Sequence, residues 1–156
     1  MIESVQVVNA LRTSVLARQV LAILESNPRT EATALKTRDV LLNEFSPYNA
    51  FVQSLTDDEL LMAVSVLAVH HPTGTTAGSE ILVLPPYRRR GLGKRLLTNK
   101  VKWYQANYSN AVFETKVAND NMSSINMCLA SGLKLQRCIE ATKRTGEKFN
   151  QLVFTT

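Results

Sequence analysis

The sequence has little of what builds cross-linked, metal-bound or membrane-spanning folds. Its 2 cysteines, Cys128 and Cys138, match no zinc-ligand spacing and no disulfide framework, so reduced thiols in a cytosol-like compartment are expected. With 6 glycines and 5 prolines in 156 residues, a collagen-like chain is excluded. The longest nearly continuous apolar run, residues 60–69, is far too short to cross a bilayer. The first residues, Met1-Ile2-Glu3-Ser4, carry an early acid and no basic stretch ahead of an apolar one, unlike a secretory signal. No internal repeat, low-complexity tract or linker divides the chain. At 45% hydrophobic and 20% charged, it has enough apolar surface for a core and no disorder signature. A soluble, cytoplasmic protein of one domain, residues 1–156, is expected, with no membrane partner.

The net charge of +5 is unevenly distributed. Residues 1–87 hold 5 bases and 9 acids, residues 88–102 hold 7 bases and no acid, and residues 103–156 hold 6 bases and 4 acids. The excess therefore sits in one block, and the rest of the protein is at −2. Spread over the surface, such basicity would point to nucleic acid. Concentrated in one block, it points to a local anion site.

Periodicity supplies the elements. Apolar residues at helical spacing cover residues 10–25, where Leu11, Val15, Leu16, Val20, Leu21 and Leu24 share a face behind Asn9, and again residues 34–45. A hairpin follows, with strands at 50–55 and 60–69 around an acidic turn, and then an apolar strand at 79–84 halted by Pro85-Pro86. A helix over 92–107, a strand at 111–117, a short helix over 122–130 ending at Gly132 and a last hairpin of 133–141 with 148–154 complete an α/β (α+β) order. A further strand is expected at 5–8.

Between strand and helix lies Arg88-Arg89-Arg90-Gly91-Leu92-Gly93-Lys94-Arg95. A helix start carries unpaired N–H donors and a positive dipole end, and glycines let a phosphate approach the backbone. The turn lacks the third glycine of a dinucleotide fingerprint and the Lys-Ser/Thr ending of a P-loop. Taken alone, it reads equally well as a basic helix start facing solvent.

The turn is one of two matching signatures. Arg88, Gly91 and Gly93 meet Q/R-x-x-G-x-G/A behind a V-x-P-x-Y-R lead-in of Val83, Pro85, Tyr87 and Arg88. Asn121, Ser124, Met127, Gly132 and Leu133 follow N-x-x-A/S-x-x-L-Y-x-x-x-G-F in spacing, with Cys128 where the pattern has Tyr. On these residues the sequence resembles the GNAT superfamily of acetyl-CoA-dependent N-acetyltransferases, most strongly over 81–133 and least over 1–48. The resemblance implies a mixed, mostly antiparallel central sheet flanked by helices, with residues 1–48 as a helical substrate-side region and 49–156 as the cofactor-binding part. It implies acetyl-CoA as co-substrate, no metal, and transfer of the acetyl group to a primary amine by direct attack in a ternary complex. The backbone of Ile81, Leu82 and Val83 would pair with the pantetheine arm. Residues 88–94 (Arg88, Arg89, Arg90, Gly91, Leu92, Gly93, Lys94) would hold the pyrophosphate, and Asn121 would hydrogen-bond the cofactor. A homodimer is left open.

Acyl transfer needs a polarised carbonyl, an uncharged amine and a proton for the departing thiolate. A backbone N–H near Val83 would supply the first. Candidate bases are Glu114, Glu80, His70 and His71, with Ser79 able only to orient a water. Strand alternation puts Ser79, Ile81 and Val83 on one side and Glu80 on the other. Glu114 reads equally as a cross-strand ion-pair partner, and the histidines as a strand-end pair facing solvent. Many family members use a Tyr to protonate the thiolate, so Cys128 is either a short-reaching donor or a small core residue. Tyr87, Trp103, Tyr104 and Tyr108 read as packing. Two other functions remain open: a CoA-binding module without catalysis, and a nucleic-acid-binding protein using the Arg-rich turn.

Overall fold

Helix α1, Leu92–Asn107, turns one face inward through Leu92, Leu96, Leu97, Lys100 and Tyr104, an i, i+4, i+5, i+8, i+12 pattern that shares one side of a helix. It packs on β3 and β4 of a four-stranded sheet. That sheet has the order β1-β2-β3-β4, with β1 at Ile2–Val7, β2 at Tyr48–Asp57, β3 at Leu60–His70 and β4 at Thr75–Val83. A second sheet, order β5-β7-β6, holds β5 at Glu114–Ala118, β6 at Lys134–Thr142 and β7 at Lys148–Thr155. Helix α2, Met122–Ala130, links β5 to β6. This computed structural model describes residues 2–7, 22, 48–58, 60–70, 73–109, 111–143 and 145–156. The helices expected over 10–25 and 34–45 lie outside the described residues, apart from helical Ala22, as does His71.

All described strand pairs are antiparallel. The 62–69 stretch of β3 is buried without a break, so this strand is covered on both faces. On the α1 side the register sets out three rows across β2, β3 and β4: Phe51, Leu67 and Ser79; Gln53, Ser65 and Ile81; Leu55, Ala63 and Val83. Phe51 and Leu67 belong to one apolar cluster with Leu97, Tyr104, Phe113, Val117 and Phe154. Leu55 and Ala63 belong to another with Leu92 and Leu96. The buried polar pair Gln53 and Ser65 runs between the two.

The strand read at 79–84 begins four residues earlier, because Thr75 to Gly78 pair with β3 through a bulge that leaves Ala77 out of register. A bulge bends its strand and increases the local twist. It sits two residues ahead of Ser79. The expected central sheet is therefore two sheets, with β4 at the edge of one and β5 at the edge of the other.

Candidate active site

β4 and β5 lie side by side without sharing a ladder. Between them opens a cleft of about 1600 Å³. It is lined by residues 79–83 of β4, the basic turn, residues 115–118 of β5, the start of α2 and the tip of the β6–β7 hairpin. Pockets for ordinary small ligands run to roughly 300–1,000 Å³, so this one suits a long ligand.

One hydrogen bond sets the phase of the open edge. The Leu84 N–H donates to Met62 O at 2.9 Å, and backbone groups alternate along a strand. Leu82 and Glu80 therefore turn their N–H groups to β3, while Val83, Ile81 and Ser79 turn theirs to the cleft. Of the three residues expected to pair with a pantetheine arm, Ile81 and Val83 have the right orientation and Leu82 does not. The Val83 carbonyl already accepts a bond from Arg88 Nε at 3.0 Å.

The turn itself is built from Pro85–Tyr87, a short 3-10 helix, and two left-handed residues, Arg89 at φ 62° and Gly91 at φ 76°. Gly91 is the N-cap of α1, and no side chain caps the helix. The first intrahelical bond runs from Arg95 N to Gly91 O at 3.1 Å. The N–H groups of Leu92, Gly93 and Lys94 precede it and have no partner within the helix, and the first turn carries no acidic residue. A Cβ on Gly91 would meet no atom within 4 Å, so the glycine leaves its space to a ligand. Arg88, Arg89, Gly91, Leu92 and Gly93 line the cleft, while Arg90 and Lys94 do not. Arg90 folds back, donating to Pro86 O at 3.4 Å and lying 5.5 Å from the centre of the Tyr87 ring.

On the far wall, Asn121 caps α2 by accepting from Ser124 N at 3.3 Å, and it lines the cleft. Its place in the signature has a structural cause in that cap. The helix ends at left-handed Gly132 (φ 83°) with Leu133 N bonded to Cys128 O. Cys128 also lines the cleft but is 1% exposed and packed in the core. Burial pushes its thiol up to about 11, with Lys100 pulling the other way.

Lys100 is the residue that charge counting misplaced. It belongs to the basic block by sequence, yet it is fully buried beneath α1. Its ammonium donates to Val66 O at 3.2 Å, Ser79 Oγ at 2.9 Å and Glu80 O at 3.0 Å. Burial pulls it from 10.5 down to about 7, opposed by Glu80 and Cys128. Its position within the inward stripe of α1, between Leu96, Leu97 and Tyr104, is the signal that could have marked it.

The candidate bases separate. Glu114 lies outside the cleft, on a smaller pocket of about 300 Å³ with Thr73 and Tyr104. Arg137 Nη2 holds both of its oxygens, at 3.1 and 3.3 Å. His70 is the last residue of β3, paired with Thr75 at the end of β4 away from the basic turn, with Nδ1 3.0 Å from Thr73 Oγ1. Glu80 and Ser79 both line the cleft, and the register puts Ser79 on the α1 side and Glu80 on the other. Tyr104 is buried and donates to Gly74 O, and Trp103 stacks on Phe51 at 4.6 Å. Among the described residues, no group of three or more His, Cys, Asp or Glu could hold a metal ion, and no helix is long and apolar enough to cross a membrane.

The profile of the acetyltransferase (GNAT) family matches residues 18–132. The chain belongs to the GNAT acetyltransferase family. Solved structures share this family's fold with it. A GNAT acetyltransferase from Streptococcus pneumoniae superposes at a TM-score of 0.68 and 14% identity, covering 99% of each chain. Spermidine N-acetyltransferase from Vibrio cholerae, solved with CoA and spermine, gives 0.70 at 10% identity over 99% of this chain and 94% of that one. NAA60 from Arabidopsis thaliana, solved with acetyl-CoA, gives 0.68 at 13% identity over 99% and 98%. No curated protein sequence matches. Residues of both signatures of this acetyltransferase fall on the walls of one cleft, Arg88, Gly91 and Gly93 on one side and Asn121, Ser124, Met127 and Cys128 on the other.

Proposed function

We propose that this GNAT protein transfers the acetyl group of acetyl-CoA to a primary amine by direct attack in a ternary complex. The observation that carries this is the continuity of the open β4 edge with the uncapped start of α1. From Val83 back to Ser79 the strand runs about 13 Å, comparable with an extended pantetheine arm. At its end come unpaired N–H groups, Arg88 and Arg89, and the space kept clear by Gly91.

In this arrangement the N–H groups of residues 91–93 hold the pyrophosphate, and the backbone of Val83 and Ile81 aligns the pantetheine. The thioester then comes abreast of Ser79 and Ile81, whose N–H groups face the edge and polarise its carbonyl. Glu80, on the face away from α1, takes the proton of the attacking amine. The acceptor is favoured to be cationic, because residues 1–87 carry 5 bases against 9 acids.

Isothermal titration tests the binding, with acetyl-CoA and CoA expected to bind more tightly than about 100 μM. Gly91→Glu puts a carboxylate in the cradle and should weaken both at least about 100-fold, roughly 2.7 kcal/mol. Because a Cβ there meets nothing within 4 Å, the cost to the fold is that of a side chain in the left-handed region, about 1–2 kcal/mol. CoA release with a panel of polyamines, lysine peptides and aminoglycosides then identifies the acceptor. If the wild-type protein bound neither nucleotide, the proposal would fail.

A further inference from the structure

The buried ammonium of Lys100 has three hydrogen-bond partners, and one of them carries a proton. Two are carbonyls, Val66 O and Glu80 O, which have no proton to pass on. The third is the hydroxyl of half-buried Ser79, which lines the cleft. A serine hydroxyl has two acceptor sites and one proton. With one acceptor site filled by Lys100 Nζ, the hydroxyl proton is free to be given to a group in the cleft. Ser79 lies on the α1 face of β4, in one row with Leu67 and Phe51, and Glu80 lies on the opposite face. Resting on the function proposed above, the sulfur of the thioester comes to this same stretch of the strand.

We infer that Lys100 and Ser79 form a two-step proton relay that protonates the departing CoA thiolate. When the acyl carbon–sulfur bond breaks, its electron pair stays on sulfur. The Ser79 Oγ proton passes to that sulfur, forming the thiol, and a Lys100 Nζ proton passes to Oγ, leaving a neutral amine. After product leaves, Lys100 regains a proton from water entering the cleft, and the proton lost by the acceptor amine balances the one gained by sulfur. Ser79 is the catalytic residue of the pair, since it meets the sulfur, and Lys100 is its positioning and recharging partner.

The groups around Lys100 support this division. The charge of Glu80, across β4 on its other face, and the Cys128 thiol on α2 both favour its charged form, and β3 contributes the Val66 carbonyl. A donor near neutrality carries a proton and can release it at working pH, and Lys100 stands at about 7. Cys128, at about 11, keeps its own.

The test follows Lys100 itself. Enzyme carrying ¹³Cε-labelled lysine is titrated by NMR as its CoA complex and as its acetyl-CoA complex, with the Lys100 signal assigned by its loss in Lys100→Met or, if that variant does not fold, in Lys100→Arg. The relay couples the lysine to a titrating thiol in the first complex and not in the second. Its midpoint should therefore differ between the two by at least about half a pH unit. Ser79→Ala should erase the difference, and Ser79→Thr, which keeps the hydroxyl, should retain it. With an acceptor in hand, Ser79→Ala should lower kcat by about 100-fold with the KM for acetyl-CoA held within about twofold. Equal midpoints in the wild-type complexes would overturn the relay, as would a difference that survives Ser79→Ala. Failure of both nucleotides to bind would remove the acetyltransferase function and the relay together, whereas CoA binding with an unresponsive Lys100 removes the relay alone.

Discussion

Replacing Lys100 with methionine should change how stability depends on pH. Methionine has similar length and no charge, so the substitution removes one titrating group from the middle of the core. In the folded protein Lys100 gives up its proton near pH 7, and in the unfolded chain it does so near 10.5. Between these values the unfolded chain holds the extra proton. Stability therefore rises with pH across this window, by about 1.4 kcal/mol per pH unit where the difference is a whole proton. Half a proton is still bound in the folded state at pH 7, so the gain from pH 7 to about pH 9 is about 2 kcal/mol. Urea unfolding of both proteins at the two pH values isolates the effect, since other groups cancel in the difference. Wild type should gain about 1 M in midpoint relative to Lys100→Met, for a urea slope of about 2 kcal/mol per M. Below about pH 6, where both folded and unfolded chains hold the proton, the two curves should run parallel. An offset that stays constant from pH 7 to about pH 9 would show instead that the three acceptors hold Lys100 charged against the cost of burial.

Two further outcomes check the placement of other residues. Glu114→Gln should leave turnover within about twofold and lower stability by no more than about 1 kcal/mol, since its ion pair with Arg137 is partly exposed; a collapse of kcat at unchanged stability would return Glu114 to the reaction. In the native protein a disulfide reagent should modify exposed Cys138 within seconds and leave buried Cys128 untouched, with both reacting in denaturant; rapid modification of both native thiols would contradict the buried, raised-pKa thiol.

The sequence signals that proved legible were local. The helix over 92–107 has the expected bounds because Pro85-Pro86 and Gly91 precede an amphipathic stripe, and α2 ends at Gly132 as its spacing implies. β4 was read four residues short because Thr75, Thr76, Ala77 and Gly78 look like loop, and only pairing with β3 makes them strand. Periodicity identifies strands but not their partners, so the gap between β4 and β5 was out of reach. The ion pair expected as one reading of Glu114 does form, but its partner, Arg137 on the far side of β7, was equally out of reach. Charge counting places Lys100 in the basic block of residues 88–102 because its neighbours in sequence are basic. The helical stripe, rather than the charge block, decides its environment.

The split between the sheets has a mechanical side. No backbone hydrogen bond crosses from β4 to β5, so each half closes its own ladder and the join is made by side chains, with Val117 and Phe154 of one half packed into the cluster of Phe51 and Leu67 of the other. A seam of that kind can widen or narrow at the cost of sliding apolar contacts, without breaking any strand pairing. The protein can thus take in and release a long, thin molecule along its middle while every ladder on either side stays intact.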